Sequence, residues 1–186
     1  MKVYDFDRTV FHPDSSVCFF RFCLKKYPFR VLPVLPKSLV LFLRYRRGDC
    51  GAAPLKEQLF SFLKRLDDVD SEVAAFWSAN KYRLQPWYLK QKREDDLIIS
   101  ASPEFLLRPL TEELGVRLIA TRMDRNTGRI DGENCHDREK VLRFRALYQE
   151  EKIEAFYSDS LSDAPLAELA EEAWLVKKGS LSPWPK

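Results

Sequence analysis

Two aspartates one residue apart end an apolar stretch in Val3-Tyr4-Asp5-Phe6-Asp7-Arg8-Thr9-Val10-Phe11. Apolar residues on both sides read as a strand of about residues 2–7 emerging from a buried core, with the carboxylates at its tip. Carboxylates held that close repel, so a compensating cation is expected beside them. A divalent metal next to an aspartate is also a means of attacking phosphate esters. Taken alone, the pair suits a helix-capping turn equally well, because aspartate is a common N-cap. The segments that follow decide between these readings.

Three of them supply complementary chemistry, in order. Leu97-Ile98-Ile99-Ser100-Ala101-Ser102-Pro103 is an apolar run ending in small hydroxyl residues, a strand leading to a helix start with Pro103 at its first position. Lys140 lies near the start of a helical stretch beginning at Asp137. Ile153–Tyr157 reads as another strand, followed by a loop with Asp159 and Asp163. Each group alone has an ordinary explanation: Ser100 and Ser102 as caps, Lys140 as a solvated helix residue, Asp159 and Asp163 as caps of a short helix.

The wider pattern splits the chain. Helical periodicity predicts helices from Asp14 or Ser15 to about Tyr27, then near 37–47, 54–66 and 71–82, the last capped by Asp70 or Ser71. From Asp96 onward the pattern alternates: strand 97–100, helix 103–114, strand 116–121, a turn at Asn126-Thr127-Gly128, helix 137–151, strand 153–157, a short helix 163–170 and strand 173–177. Alternating elements predict a parallel sheet covered on both faces, with a site at the carboxyl ends of its strands. The tail from Gly179 reads as a loose terminus or a short packing arm.

Together, Asp5/Asp7/Thr9, Ser100, Lys140 and Asp159/Asp163 resemble the four ordered motifs of the haloacid dehalogenase superfamily of aspartate-nucleophile phosphatases, in its phosphoserine-phosphatase-like branch. The resemblance runs from about residue 3 to about residue 177. It implies an α/β fold, a Rossmannoid parallel sheet flanked by helices, with a helical cap inserted after strand 1. The core would comprise 1–12 and 93–186 and the cap 13–92. It further implies Asp5 as nucleophile, Asp7 as general acid and base, and Lys140 as the cation offsetting charge on Asp5 and the transferred group. Ser100, Ser102 and the Ala101 N–H would bind phosphoryl oxygens, and Thr9 would steady the loop. Mg²⁺ would be held by Asp5, Asp159 and the Asp7 carbonyl, with Asp163 as a further ligand or an orienter of metal-bound water. Two positions depart from the pattern: Arg8 and Ser158 stand where glycine is usual.

Composition adds limits. At 186 residues with 45% hydrophobic content, the chain suits one compact domain with an insertion. Cys18, Cys23, Cys50 and Cys135 lack paired metal-ligand spacing and are expected to be reduced thiols. Only His12 and His136 are present, which argues against histidine metal sites and Ser-His-Asp triads. No signal peptide is recognised, and a cytoplasmic protein is expected.

Residues 21–47 carry Arg21, Lys25, Lys26, Arg30, Lys37, Arg44, Arg46 and Arg47 and no acidic residue. The whole chain is only +3, so the remainder is net acidic. Aromatic and aliphatic residues interleave with the charges, but the run is too short and too charged to span a bilayer. Such a composition suits contact with anionic lipid at the inner face of a membrane, or equally two cap helices with basic outer faces. This segment resembles that of bacterial phosphatidylglycerophosphatase C-like proteins, which implies a lipid-borne substrate such as phosphatidylglycerophosphate. Phosphoserine phosphatases commonly carry a glutamate where Asp14 stands, so Asp14 as a ligand for a substrate amino group keeps a soluble phosphomonoester such as phosphoserine as the alternative. A catalytically idle binding protein is disfavoured by the complete acidic set. Nucleic acid is not expected, because the segment is more apolar than a phosphate-tracking stripe requires.

Overall fold

The computed structural model describes residues 1–149 and 151–185. The chain begins with β1 (Lys2–Tyr4) and then enters a run of helices: α1 (Ser15–Lys26), α2 (Pro28–Val31), α3 (Leu35–Arg47), α4 (Ala52–Phe60), α5 (Val69–Asn80) and α6 (Pro86–Gln91). It continues as β2 (Leu97–Pro103), α7 (Glu104–Leu114), β3 (Arg117–Thr121), α8 (Arg138–Tyr148), β4 (Ile153–Ser158), α9 (Ala164–Ala167), β5 (Ala170–Lys177) and β6 (Ser180–Pro183). The sheet has the order β3-β2-β1-β4-β5-β6. Every pairing is parallel except the last, which is antiparallel.

The period of two along the strands divides the core. Val3, Leu97, Ile99 and Phe156 point to one face, where Phe144 of α8 and Leu166 of α9 cover them. Tyr4, Ile98, Ala155 and Tyr157 point to the other, with Leu106, Leu107 and Leu110 of α7. That second cluster continues into the helices after β1. Phe19 of α1 lies against Phe60, Phe62, Phe76 and Phe105, with ring centroids 6.5, 6.4, 5.5 and 6.3 Å away. Phe105 belongs to α7, so aromatic packing ties the helical segment to the sheet's own covering helix. The Trp77 Nε1–H donates to the Leu106 carbonyl at 2.6 Å across the same junction.

Several boundaries differ from the sequence expectation. β1 stops at Tyr4 rather than near residue 7, because Phe6 turns the chain: its carbonyl accepts from the N–H groups of Val10 and Phe11 at 2.9 Å each. α5 is capped by Asp68, not Asp70 or Ser71. Asp68 takes the Ser71 N–H at 3.0 Å and the Ser71 hydroxyl at 2.6 Å, leaving Asp70 in the first turn, where a negative charge suits the helix dipole. The segment read as helix to residue 66 is α4 followed by a 3-10 turn over Ser61–Arg65. Pro103 is the N-cap of α7 rather than its first residue. The short helix expected over 163–170 is a 3-10 turn at Leu161–Asp163 followed by α9, and β5 starts at Ala170 rather than 173. The helix expected over 137–151 runs only from Arg138 to Tyr148, where Gln149, at φ 38°, is the C-cap, and Glu151 is not helical; residues 150 and 186 lie outside the described residues.

The tail is not loose: it is a short packing arm that also adds a strand to the sheet. Lys178 and Gly179, with φ of 51° and 82°, make the tight turn that lets β6 pair with β5. Trp184 then packs against Phe156, centroids 6.0 Å apart. Two prolines and a short, fully exposed strand hid this edge from a reading by apolar alternation.

Phe19→Ala should remove the ring shared by four neighbours and cost about 3–5 kcal/mol. Urea denaturation followed by circular dichroism measures this; a loss below about 1 kcal/mol would mean the aromatic cluster does not hold the helices to the sheet.

Candidate active site

The three central strands β2, β1 and β4 end side by side, and each delivers a piece of one cavity of about 400 Å³. β1 leads into Asp5 and Asp7, β2 supplies Ser100 and Ala101, and the loop after β4 supplies Asp159 and Asp163. The strand order reverses between β1 and β4, the crevice where ligands bind in open α/β sheets. Asp5 is fixed there by its own N–H, which donates to the Tyr157 carbonyl at 2.8 Å. Lys140, at the start of α8, reaches into the cavity.

The Lys140 ammonium donates to Asp5 Oδ1 at 2.7 Å and to Asp163 Oδ2 at 2.8 Å. All three side chains are almost wholly buried. Burial alone would lower the lysine; the two carboxylates reverse this and hold it above its ordinary value. Burial pushes the Asp5 carboxyl up, Lys140 offsets part of that, and Asp163 and Asp7 add to it. Thr9 Oγ1 lies 3.5 Å from Asp5 Oδ2, a weak contact.

Asp7 is held differently. Its Oδ1 accepts the Ser15 N–H at 2.6 Å and its Oδ2 the Ser102 hydroxyl at 2.5 Å. Burial, then the nearby Asp14, raises it to about 6. Asp14 caps α1, taking the Val17 N–H at 2.9 Å. Ser100 Oγ accepts the Ser102 N–H at 3.0 Å, so the two serines brace the irregular end of β2, where the register shifts.

The two departures from glycine have local consequences. Arg8 has φ of 61°, the left-handed region where glycine is easiest. Its guanidinium stands 4.0 Å from Asp159 Oδ2 at the cavity mouth. The Ser158 hydroxyl donates to Asp163 Oδ2 at 2.7 Å, giving that carboxylate a second donor beside Lys140. Asp159 is raised by burial, against which Arg8 acts.

Five carboxylates, of Asp5, Asp7, Asp14, Asp159 and Asp163, therefore line one cavity with a single buried ammonium, that of Lys140. A hard cation with oxygen ligands fits that imbalance and that donor set. The Asp5, Asp159 and Asp163 carboxylates are oxygen donors lining the cavity; among the described residues no three His, Cys, Asp or Glu side chains already converge on one point. His136 lines the same cavity, with its Nε2 3.4 Å from Ser162 Oγ, whereas Cys135 does not extend the set. Burial raises the Cys135 thiol to about 11, away from the thiolate a metal needs.

One participant was invisible to sequence reasoning. Lys56 of α4 donates to the Ala101 carbonyl and to Asn134 Oδ1, both at 2.6 Å. Thr121 Oγ1 donates to the same carbonyl at 2.7 Å. A lysine in an ordinary amphipathic helix carries no signal that it pins the end of β2.

A model of the haloacid dehalogenase-like hydrolases matches residues 3–168. The chain belongs to this family. Protein CicA of Caulobacter vibrioides (strain NA1000 / CB15N) is 28% identical over 191 residues, covering 92% of this chain and 83% of that one. Among solved structures, a protein of unknown function from Bordetella pertussis Tohama I superposes with a TM-score of 0.79 at 23% identity, covering 93% of this chain and 87% of the other. A phosphoserine phosphohydrolase-like protein from Francisella tularensis subsp. tularensis SCHU S4 superposes at 0.62 with 15% identity, covering 93% and 86%. These likenesses establish the haloacid dehalogenase-like fold over nearly the whole chain.

Burial holds the Lys56 ammonium down to about 8, against an ordinary lysine value of about 10.4. Between those values the unfolded chain binds the extra proton, so this group makes stability rise with pH. Thermal denaturation of wild type and Lys56→Met should show the difference in Tm moving in favour of wild type from about pH 8 to 10. A constant difference would place the ammonium in solvent.

Proposed function

We propose that this protein hydrolyses phosphomonoesters through a covalent phosphoryl group on Asp5. The observation that carries the reading is the Lys140 ammonium shared by Asp5 and Asp163 at the carboxyl edge of the sheet. A buried carboxylate oxygen beside a fixed cation can attack phosphorus while the charge on the transferred group is offset. Asp5 Oδ bonds to phosphorus as the ester P–O bond breaks, and the leaving oxygen takes its proton from Asp7. Water then attacks phosphorus and gives its proton to Asp7, and the Asp5–phosphorus bond breaks to release phosphate. A carboxyl raised to about 6 is suited to both transfers.

Ser100 and the Ala101 N–H are assigned to phosphoryl oxygens, with Ser102 orienting Asp7 and Thr9 steadying Asp5. Mg²⁺, held by Asp5, Asp159 and the Asp7 carbonyl with Asp163 as further ligand or orienter, would neutralise charge on the phosphoryl group. Residues 13–92 are assigned as the cap over a core of 1–12 and 93–186; contact between Lys56 and Ala101 supports that division.

The cap also supports peripheral contact with an anionic membrane. Phe29, Leu39 and Val40 are 89, 60 and 58% exposed, and Arg44, Arg46 and Arg47 are exposed at the end of α3. No helix among the described residues is long and apolar enough to cross a membrane. A protein bound at the inner membrane face is the reading that joins these observations. Hydrolysis of a soluble ester such as phosphoserine is the alternative, favoured by the fold shared with the Francisella protein.

With an aryl phosphate as substrate, Asp5→Asn should lower turnover about 10³-fold or more and abolish covalent phosphate on the protein. Excess EDTA should stop the reaction and Mg²⁺ restore it. Near-normal turnover by Asp5→Asn would sink the covalent route, and full activity in EDTA would sink the metal assignment.

Sedimentation with anionic vesicles tests the surface. Each basic residue reaching lipid contributes about 1 kcal/mol, screened as salt rises. Wild type should sediment at low salt and less at high salt, and the triple change Arg44→Gln, Arg46→Gln and Arg47→Gln should weaken sedimentation. Equal recovery with neutral vesicles would remove the electrostatic argument.

A further inference from the structure

One peptide at the end of β2, between Ala101 and Ser102, is engaged at both of its polar ends. Its carbonyl accepts the Lys56 ammonium at 2.6 Å and the Thr121 hydroxyl at 2.7 Å. Its N–H, that of Ser102, donates to Ser100 Oγ at 3.0 Å. The Ser100 oxygen therefore accepts from the backbone and keeps its own hydrogen to donate. No acceptor among the described residues takes that hydrogen, and Ser100 lines the catalytic cavity.

These bonds all run in one direction. The ammonium donates to the carbonyl, the N–H of the same peptide donates to the hydroxyl oxygen, and the hydroxyl hydrogen is left for the cavity. A cation on the carbonyl draws electron density through the peptide and makes its N–H a stronger donor. That N–H in turn polarises the Ser100 O–H. Lys56 does not line the catalytic cavity, so its charge reaches a phosphoryl oxygen there through the peptide and the serine.

The partners of Lys56 set it apart from the other lysines of the helical segment. Lys26 pairs with Glu72 and Lys81 with Glu113. Lys56 forms no ion pair among the described residues, and its two bonds go to neutral oxygens, of Ala101 and Asn134. A partly buried cation without a carboxylate partner is costly, and fastening α4 does not require one. The next residue does that without a buried charge of its own sign: Glu57 Oε1 accepts the Ile130 N–H at 2.8 Å.

We propose that Lys56 is a positioning residue for phosphoryl recognition. From α4 it fixes and polarises the peptide between Ala101 and Ser102, so that the Ser100 hydroxyl is presented as a strengthened donor to the transferred group. This rests on the phosphatase reading above for the assignment of Ser100 to a phosphoryl oxygen.

Calorimetric titration of the whole protein with inorganic phosphate in excess Mg²⁺ tests it. Lys56→Met should weaken phosphate binding about tenfold. The Thr121 hydroxyl still reaches both oxygens that lose the ammonium, at 2.7 and 3.1 Å, so neither is orphaned in that variant. Lys56→Gln, which can return a neutral donor to the carbonyl, should recover part of the loss. Ser100→Ala supplies the comparison that separates positioning from mere stability. With the hydroxyl gone, the further change Lys56→Met should cost less than about threefold. A loss of folded protein would lower affinity equally in both backgrounds and does not imitate this coupling.

A tenfold loss in both backgrounds, or no loss in either, would overturn the positioning role and leave the phosphatase reading standing. Wild type that binds no phosphate would overturn the assignment of Ser100, and the role of Lys56 with it. If wild type also turned over no aryl phosphate, the hydrolytic reading itself would fall.

Discussion

One buried ammonium balances the centre of this molecule. Lys140 meets Asp5 and Asp163 at 2.7 and 2.8 Å, and no bulk water screens the group. Removing charges from water is costly, and such an arrangement persists only when its geometry satisfies the charges closely. Here three separate elements must be correctly placed: the end of β1, the start of α8 and the turn after β4. The sheet order puts β1 and β4 next to each other, and α8 crosses back over their face to bring its first turn to the same edge. The ion-paired triad thus presupposes the topology.

Much of this was legible before any coordinates. Asp5, Ser100 and Asp159 each follow an apolar run, and strand ends in α/β sheets converge on one edge. Order and chemistry suggested a shared edge, and the resemblance to the aspartate-nucleophile phosphatases supplied the expectation that Asp5, Asp7, Ser100, Lys140, Asp159 and Asp163 surround one cavity. What stayed hidden depended on side chains crossing between distant segments. Lys56 looks like any lysine on a helix until Ala101 and Asn134 are seen 2.6 Å from its ammonium. Ser158 reads as a loss relative to glycine, yet its hydroxyl engages Asp163. The β5–β6 hairpin escaped because an exposed four-residue strand has no apolar period to detect.

The helical segment does two physical jobs with one set of residues. Phe19, Phe60, Phe62 and Phe76 fasten it to Phe105 of α7, while Leu55 and Leu59 of α4 face outward into two apolar spaces. Lys56 lies between those leucines in sequence and contacts Ala101 near the end of β2. A displacement of α4 would therefore change the apolar walls and that strand end together. Gly128 adds a second restraint: a Cβ there would fall 2.5 Å from the Phe60 carbonyl oxygen. The backbone of the turn at Asn126-Thr127-Gly128 fits closely against the end of α4 only because the residue is glycine.

The position of β1 in the sheet has a kinetic meaning. It is an inner strand, and its neighbours are supplied by chain about 94 and 153 residues further along, as in the pairings Val3 with Leu97 and Lys2 with Ala155. Both pairings close long loops, whose entropy must be overcome before the contacts reward it. A half-made chain, or one stalled on the way to the native state, would expose an unpaired apolar segment ending in two acids. Asp5 meets Lys140 only when sequence separations of this order have been closed. Completion of the reactive centre would accordingly be a late event in folding, and refolding monitored by recovery of this ion pair would lag behind the formation of local helices.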